Sequence, residues 1–92
     1  MNRYIAIQTI AIRTINGHRV QIESGKEYHG GFDFRDFNAN RSVIFVKVNG
    51  CNDEIHISVG EDFMSKFRFI GHVRNVKYMP VQIVKRPRIS KK

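Results

Sequence analysis

Two Asn-Gly dipeptides, Asn16–Gly17 and Asn49–Gly50, each stand between runs of β-branched residues. Asn and Gly both tolerate the positive φ of a type I′ turn, so the dipeptide in this setting is the strongest short-range hairpin signal. The first predicts a hairpin whose return strand points Val20 and Ile22 inward. The second follows the run Val43–Val48 and predicts a turn from Asn49 to Asn52, with Ile55, Ile57 and Val59 alternating on the return. Composition agrees. The 92 residues contain no Leu, while Ile and Val are abundant, and both are stiff at Cβ and fit strands better than helices. No segment carries the crossover of roughly a dozen residues, usually a helix, that parallel strands need.

The remaining elements follow the same logic. In RYIAIQTIAIRTI, Ile5 and Ile7 lie on one parity and Ile10 and Ile12 on the other, so a bulge or bend at Gln8–Thr9 is expected to keep both pairs inward. ESGKEYHGGFDFRDFNANR reads as the longest loop, with a short strand around Tyr28 or Phe32–Phe34. GEDFMSKF places acids early, Lys66 late and Phe63 four residues before Phe67, as one helical turn would. FRFIGHVRNVKYMPVQIV supplies one or two final strands, with Pro80 at an edge, bulge or break because it cannot donate to a ladder. The expected architecture is all-β: a small SH3-like or OB-like barrel or roll of five or six antiparallel strands, with a helical turn near residues 61–67. One domain is expected over residues 1–84, followed by a flexible basic tail over residues 85–92. A strand edge near Pro80 is where a second copy would pair, although no signal sets an oligomeric state.

A chain of 92 residues supports one modest core, which seven Phe and three Tyr can fill without any Trp. Cys51 is the sole cysteine and cannot close an internal disulfide. Secreted domains of this size usually rely on such staples, so a reducing, cytoplasmic setting is expected. The apolar run from Ile5 to Ile12 is broken by Gln8 and Thr9. It falls short of the roughly 20 residues of a membrane span and lacks the cleavage site of a signal peptide.

The sequence offers little for catalysis. Cys51 and His56 are five apart, but the first falls at a hairpin tip and the second on the outward parity between Ile55 and Ile57, with nothing to lower a thiol pKa. The carboxylate pairs Asp33/Asp36, Asp53/Glu54 and Glu61/Asp62 fall in loops or at element ends, where solvated turns and caps are usual. His18, His29, Cys51, His56 and His72 show none of the close spacings of a structural zinc site. The GK of SGKEYHGG lacks the Gly and Ser/Thr of a P-loop. No enzyme activity, metal or cofactor is expected.

Charge is the strongest functional signal. Residues 1–62 hold seven Lys/Arg against eight Asp/Glu, a sum of −1, and residues 63–92 hold nine Lys/Arg and no acid, a sum of +9; together these give the +8 of the chain. Within that third, KFRFIGHVRNVKY interleaves Lys66, Arg68, Arg74 and Lys77 with Phe67, Phe69 and Tyr78. Cations that hold phosphates beside rings that stack on bases are what a single-strand surface needs. The piece KFRFI resembles the basic-aromatic strand of the RRM and cold-shock domains over five residues, without the glycines that flank the first aromatic there. On a continuous strand Lys66, Arg68 and Arg74 share a parity and form a basic stripe, and Gly71 is where it would break. Phe67, Phe69 and Val73 are expected to point together into the core, leaving Tyr78 for stacking. The tail adds Lys85, Arg86, Arg88, Lys91 and Lys92, with Pro87 keeping it extended. Such tails bind phosphate backbones through counterion release.

A non-enzymatic basic module that contacts DNA or RNA phosphates through its C-terminal third is the expected function. The alternative is a protein-interaction module, such as a small virus-encoded accessory protein or inhibitor docking on a larger acidic complex. Its anchors would be Phe32, Phe34 and Phe37, since buried aromatics dominate interface energetics.

Overall fold

The computed structural model describes residues 1–32, 41–58 and 61–84. The side chain of Phe32, together with Phe34, Phe37, Val59 and the tail cations Lys85, Arg86, Arg88, Lys91 and Lys92, lies outside what is described. The described chain forms eight strands: β1 Asn2–Ala6, β2 Ile10–Arg13, β3 Arg19–Ile22, β4 Glu27–Phe32, β5 Arg41–Val48, β6 Cys51–Ser58, β7 Phe67–His72 and β8 Met79–Ile83. A single short helix, α1 Glu61–Met64, precedes β7.

The β5–β6 ribbon is the spine. Its turn is a tight two-residue one, with Asn49 at φ 51° and Gly50 at φ 81°, and Val48 faces Cys51 directly. The turn is therefore shorter than the Asn49–Asn52 connection expected, because both residues of the dipeptide take up the left-handed conformation. The other edge of β5 forks. Ser42–Phe45 pair antiparallel with β4, whereas Val46–Val48 pair parallel with Met79–Val81 of β8. One wing continues β4–β1–β7 and the other β8–β3–β2. Because two strands share one edge, the wings diverge and the sheet curls into a small barrel-like half-shell.

This is the all-β barrel or roll that the pattern predicts, with two or three more strands and one parallel pairing. The additional strands arise where the chain bends. The bend at Ile7–Gln8 separates β1 from β2, and the segment 73–78 separates β7 from β8. That segment brings the chain back to β5 running parallel without a helical crossover. Pro80 has a strand partner only on the β5 side, since β3 reaches no further than Gln82 and Ile83. The ring thus avoids the missing-donor penalty in a strand flanked on both sides and sits at a local edge, as expected, although β8 as a whole lies between β5 and β3.

The inner face carries Tyr4, Ala6, Val20, Ile22, Tyr28, Ile44, Val46, Val48, Ile55, Ile57, Phe63 and Phe67, with Ile10 and Ile12 packed against them. Val20, Ile22, Ile55 and Ile57 point inward as expected. In β1 the expectation is reversed: Tyr4 and Ala6 are buried, while Ile5 is only half-buried and Ile7 is exposed. Tyr4 wins the inner face by packing edge-on against Phe63 at 4.9 Å, and the bend then restores Ile10 and Ile12 to the core. Phe63 and Phe67 stack at 5.2 Å, so the helical turn serves to deliver one ring of an aromatic cluster. No helix among the described residues is long and apolar enough to cross a membrane.

Candidate functional site

The segment 73–78 crosses the outer face of β4 and β5, and a cleft of about 770 Å³ opens beneath it. On β4 the residues that alternate with the core-facing Tyr28 and Gly30 are Glu27 and His29, and on β1 the matching residue is Arg3. Arg3 clamps Glu27 with Nε and Nη2 donating to Oε2 and Oε1 at 3.0 and 2.9 Å. Oε2 of Glu27 also meets Nε2 of the buried His29 at 2.6 Å. The backbone N–H of Lys77 donates to Nδ1 of His29 at 3.0 Å. An amide can only donate, so Nδ1 is the acceptor and the ring proton sits on Nε2, facing the carboxylate. Hydrogen bonds from Arg3 and His29 hold the pKa of the Glu27 carboxyl down to about 2, against the opposing effect of burial.

The same chain of contacts fixes the crossing segment. Lys77 is tied to β4, and the neighbouring Tyr78 packs its ring on Phe45 of β5 at 5.2 Å. The cleft is lined by Arg3, Lys26, His72, Arg74 and Lys77, with Met79 and Pro80 as apolar walls. Glu27 is its one acid among the described residues, and Arg3 already neutralises it. Lys26 is matched by Glu23 at 2.6 Å. Arg74 and Lys77 are exposed and have no ion pair among the described residues, so they supply the cleft's uncompensated positive charge.

The basic residues of KFRFIGHVRNVKY do not form one stripe. Lys66 is committed to Asp62, with Nζ 2.6 Å from Oδ1. Arg68 lies on β7 and lines a second, mostly apolar cleft of about 430 Å³ with Ile7, Phe63, Met64 and Phe69. β7 pairs with β1 through a bulge that skips Ile70 and passes through Gly71 at φ 145°, and the strand ends at His72. Arg74 is therefore carried off the line of Arg68. Phe67 is buried, as expected, but Phe69 of the same parity is 53% exposed. Tyr78 is half-buried against Phe45, so the accessible ring is Phe69 and not Tyr78. Phe69 keeps the parity of Phe67 and lies opposite Tyr4, but β7 is the last strand of its wing, so no further strand among the described residues covers the ring.

The remaining candidates fall elsewhere. Cys51 is exposed at the hairpin tip, on the opposite parity from His56, whose Nε2 meets Oε1 of Glu54 at 2.9 Å. Asp53, read from sequence as a solvated turn residue, is instead buried on the inner face of β6. It accepts hydrogen bonds from Asn16 Nδ2 at 2.8 Å and from the Glu54 amide at 2.8 Å, and it meets His18 Nδ1 at 3.0 Å. The short Asn49–Gly50 turn makes this possible, because it starts the return strand at Cys51 and so places Asp53 within the ladder, on the face it shares with Ile55. Asp53 thereby pins the β2–β3 connection to β6. Among the described residues no three His, Cys, Asp or Glu side chains converge as a metal site requires. Comparison with protein-family models, with curated proteins and with solved structures gives no significant match.

Proposed function

We propose that this chain is a non-enzymatic cytoplasmic module that holds nucleic-acid phosphates in the cleft beneath residues 73–78. One observation carries the reading. Arg3 and Lys26 are neutralised in place, whereas Arg74 and Lys77 stand over the cleft without an ion pair among the described residues. Cations so presented attract phosphate oxygens, and each contact releases condensed counterions. The nine basic residues of positions 63–92, with no acid among them, extend the same sign of charge through Lys85, Arg86, Arg88, Lys91 and Lys92. The protein-docking alternative drew on Phe32, Phe34 and Phe37, whose side chains lie outside the described residues, and no described contact favours it.

Fluorescence anisotropy of labelled single- and double-stranded oligonucleotides, titrated with the full chain at two salt concentrations, tests the proposal. Binding that weakens steeply with salt supports it. Absence of binding at low salt overturns it.

A further inference from the structure

We infer that the nucleic acid is single-stranded and that one of its bases lies in the apolar cleft against Phe69. The inference rests on the phosphate-binding reading and deepens it. Large exposed apolar side chains cluster on one side of the molecule: Ile7 at 46%, Met64 at 70% and Phe69 at 53% exposure all line the second cleft. Clustered exposed apolar groups mark a place where something binds. Three features select a nucleobase. First, Phe69 touches Tyr4 at 6.2 Å and His72 at 5.2 Å, both edge-on, and no described ring is stacked on it. Second, Arg68 shares the cleft and has no ion pair among the described residues, so the apolar floor has a cation beside it. Third, the two clefts adjoin at the β7 edge: His72 lines the basic one, and its ring lies 5.2 Å from Phe69, which lines the apolar one.

The dimensions agree. From Arg68 to Arg74 the chain can span at most roughly 20 Å at about 3.3 Å per residue, which suits a short stretch of strand. Proteins of this kind cover about 4–16 nucleotides per small barrel and draw their strength from rings beside cations. A duplex keeps its bases stacked on one another and can offer Phe69 only its backbone. Phe69 therefore separates single strands from duplexes, while Arg74 and Lys77 hold both.

The chain contains no Trp, so Phe69→Trp installs a single reporter at the proposed stacking site. The full-length variant would be titrated with an oligothymidylate of about 12 nucleotides, a duplex of the same length and poly-glutamate. The expected result is quenching of Trp emission by the single strand and not by the duplex. Phe69→Ala should weaken single-strand binding on the order of 5- to 150-fold and leave duplex binding unchanged. Single-strand binding by anisotropy with unchanged Trp emission overturns this inference and leaves the phosphate-binding reading intact. Equal quenching by poly-glutamate also overturns it, in favour of an acidic polypeptide. Absence of binding to either nucleic acid removes both.

Discussion

The backbone N–H of Lys77 donates to Nδ1 of His29, a residue 48 positions earlier, at 3.0 Å. This bond holds the outer wall of the basic cleft against its floor. It also orients His29 so that its other nitrogen faces Glu27, which Arg3 grips from the neighbouring strand. Arg3, Glu27, His29 and the Lys77 amide thus form one connected unit drawn from three distant stretches of the chain. Replacing His29 with Leu removes two of its bonds at once. The expected cost is about 2–3 kcal/mol in urea unfolding, the typical penalty for breaking a buried polar network. Anion binding should weaken in the same variant, because Lys77 is no longer positioned. Unchanged stability would show that the segment 73–78 is held by Tyr78 on Phe45 instead.

The carboxyl of Glu27 gives this unit a pH dependence of definite sign. Its pKa falls from 4.5 to about 2 on folding, owing first to the hydrogen bond from Arg3 and then to that from His29. A carboxyl that is more acidic when folded binds fewer protons in the folded state. Its stabilisation is therefore complete above about 4.5 and is lost as the pH falls toward 2. The side chain is one-third exposed, so solvent screening reduces the contribution of the pair. Glu27→Gln should cost roughly 1 kcal/mol near neutrality and flatten the acid limb of the stability profile. Urea midpoints measured across that limb for both proteins check this. Parallel profiles would assign the acid sensitivity to other groups, of which Asp53 is the first candidate. Burial alone would raise its carboxyl, but bonds from Thr14, His18 and the Glu54 amide bring it below its ordinary value.

Gly30 tests the register of the fork. It lies opposite Ile44, and a Cβ added there would stand 1.9 Å from the carbonyl oxygen of Val43. A backbone oxygen cannot swing aside, so Gly30→Ala must push β4 from β5. The expected loss is at least about 3 kcal/mol or failure to fold. Gly17→Ala provides the comparison: its φ of 89° is strained for any other residue, but nothing lies within 4 Å of the added carbon. That variant should cost only about 1 kcal/mol. Chemical denaturation of the two proteins side by side decides the point.

What the sequence displayed and what it concealed follow from the range of the forces involved. Local signals read well. The Asn49–Gly50 turn, the inward Val20 and Ile22, and the Phe63–Phe67 pair all depend on neighbours a few residues away. The parallel docking of β8 on β5 did not read, because it depends on where residues 73–78 cross the sheet and leaves no periodic mark. Asp53 was misread because a turn running to Asn52 would leave it at the end of the strand, whereas the two-residue turn starts the strand at Cys51 and sets Asp53 inside it, on the parity of Ile55. The exposure of Phe69 did not read, because it follows from β7 standing last in its wing, which the local pattern does not mark. The cleft itself was half legible. Arg74 and Lys77 were visible as unmatched cations, whereas the neutralisation of Arg3 and Lys26 and the capture of Lys66 by Asp62 required the fold.

That division among the cations yields a quantitative expectation. For a single strand, the slope of log affinity against log salt is about −0.7 per phosphate contact, so removing one contact reduces its magnitude by about 0.7. Arg74→Ala and Lys77→Ala should each weaken binding uniformly across base sequences and make the slope shallower, and the double variant should lower its magnitude by about 1.4 in total. Lys66→Ala should leave the slope unchanged, because Nζ is already held by Asp62 at 2.6 Å. The comparison of Lys66 with Lys77 is informative because the two residues are of one type, eleven apart in the same basic third. Bulk charge alone would make the variants equivalent, and equal slopes would reduce the cleft to one part of a diffuse positive surface. A change confined to Arg74 and Lys77 would tie the phosphates to the cleft that His29 holds in place.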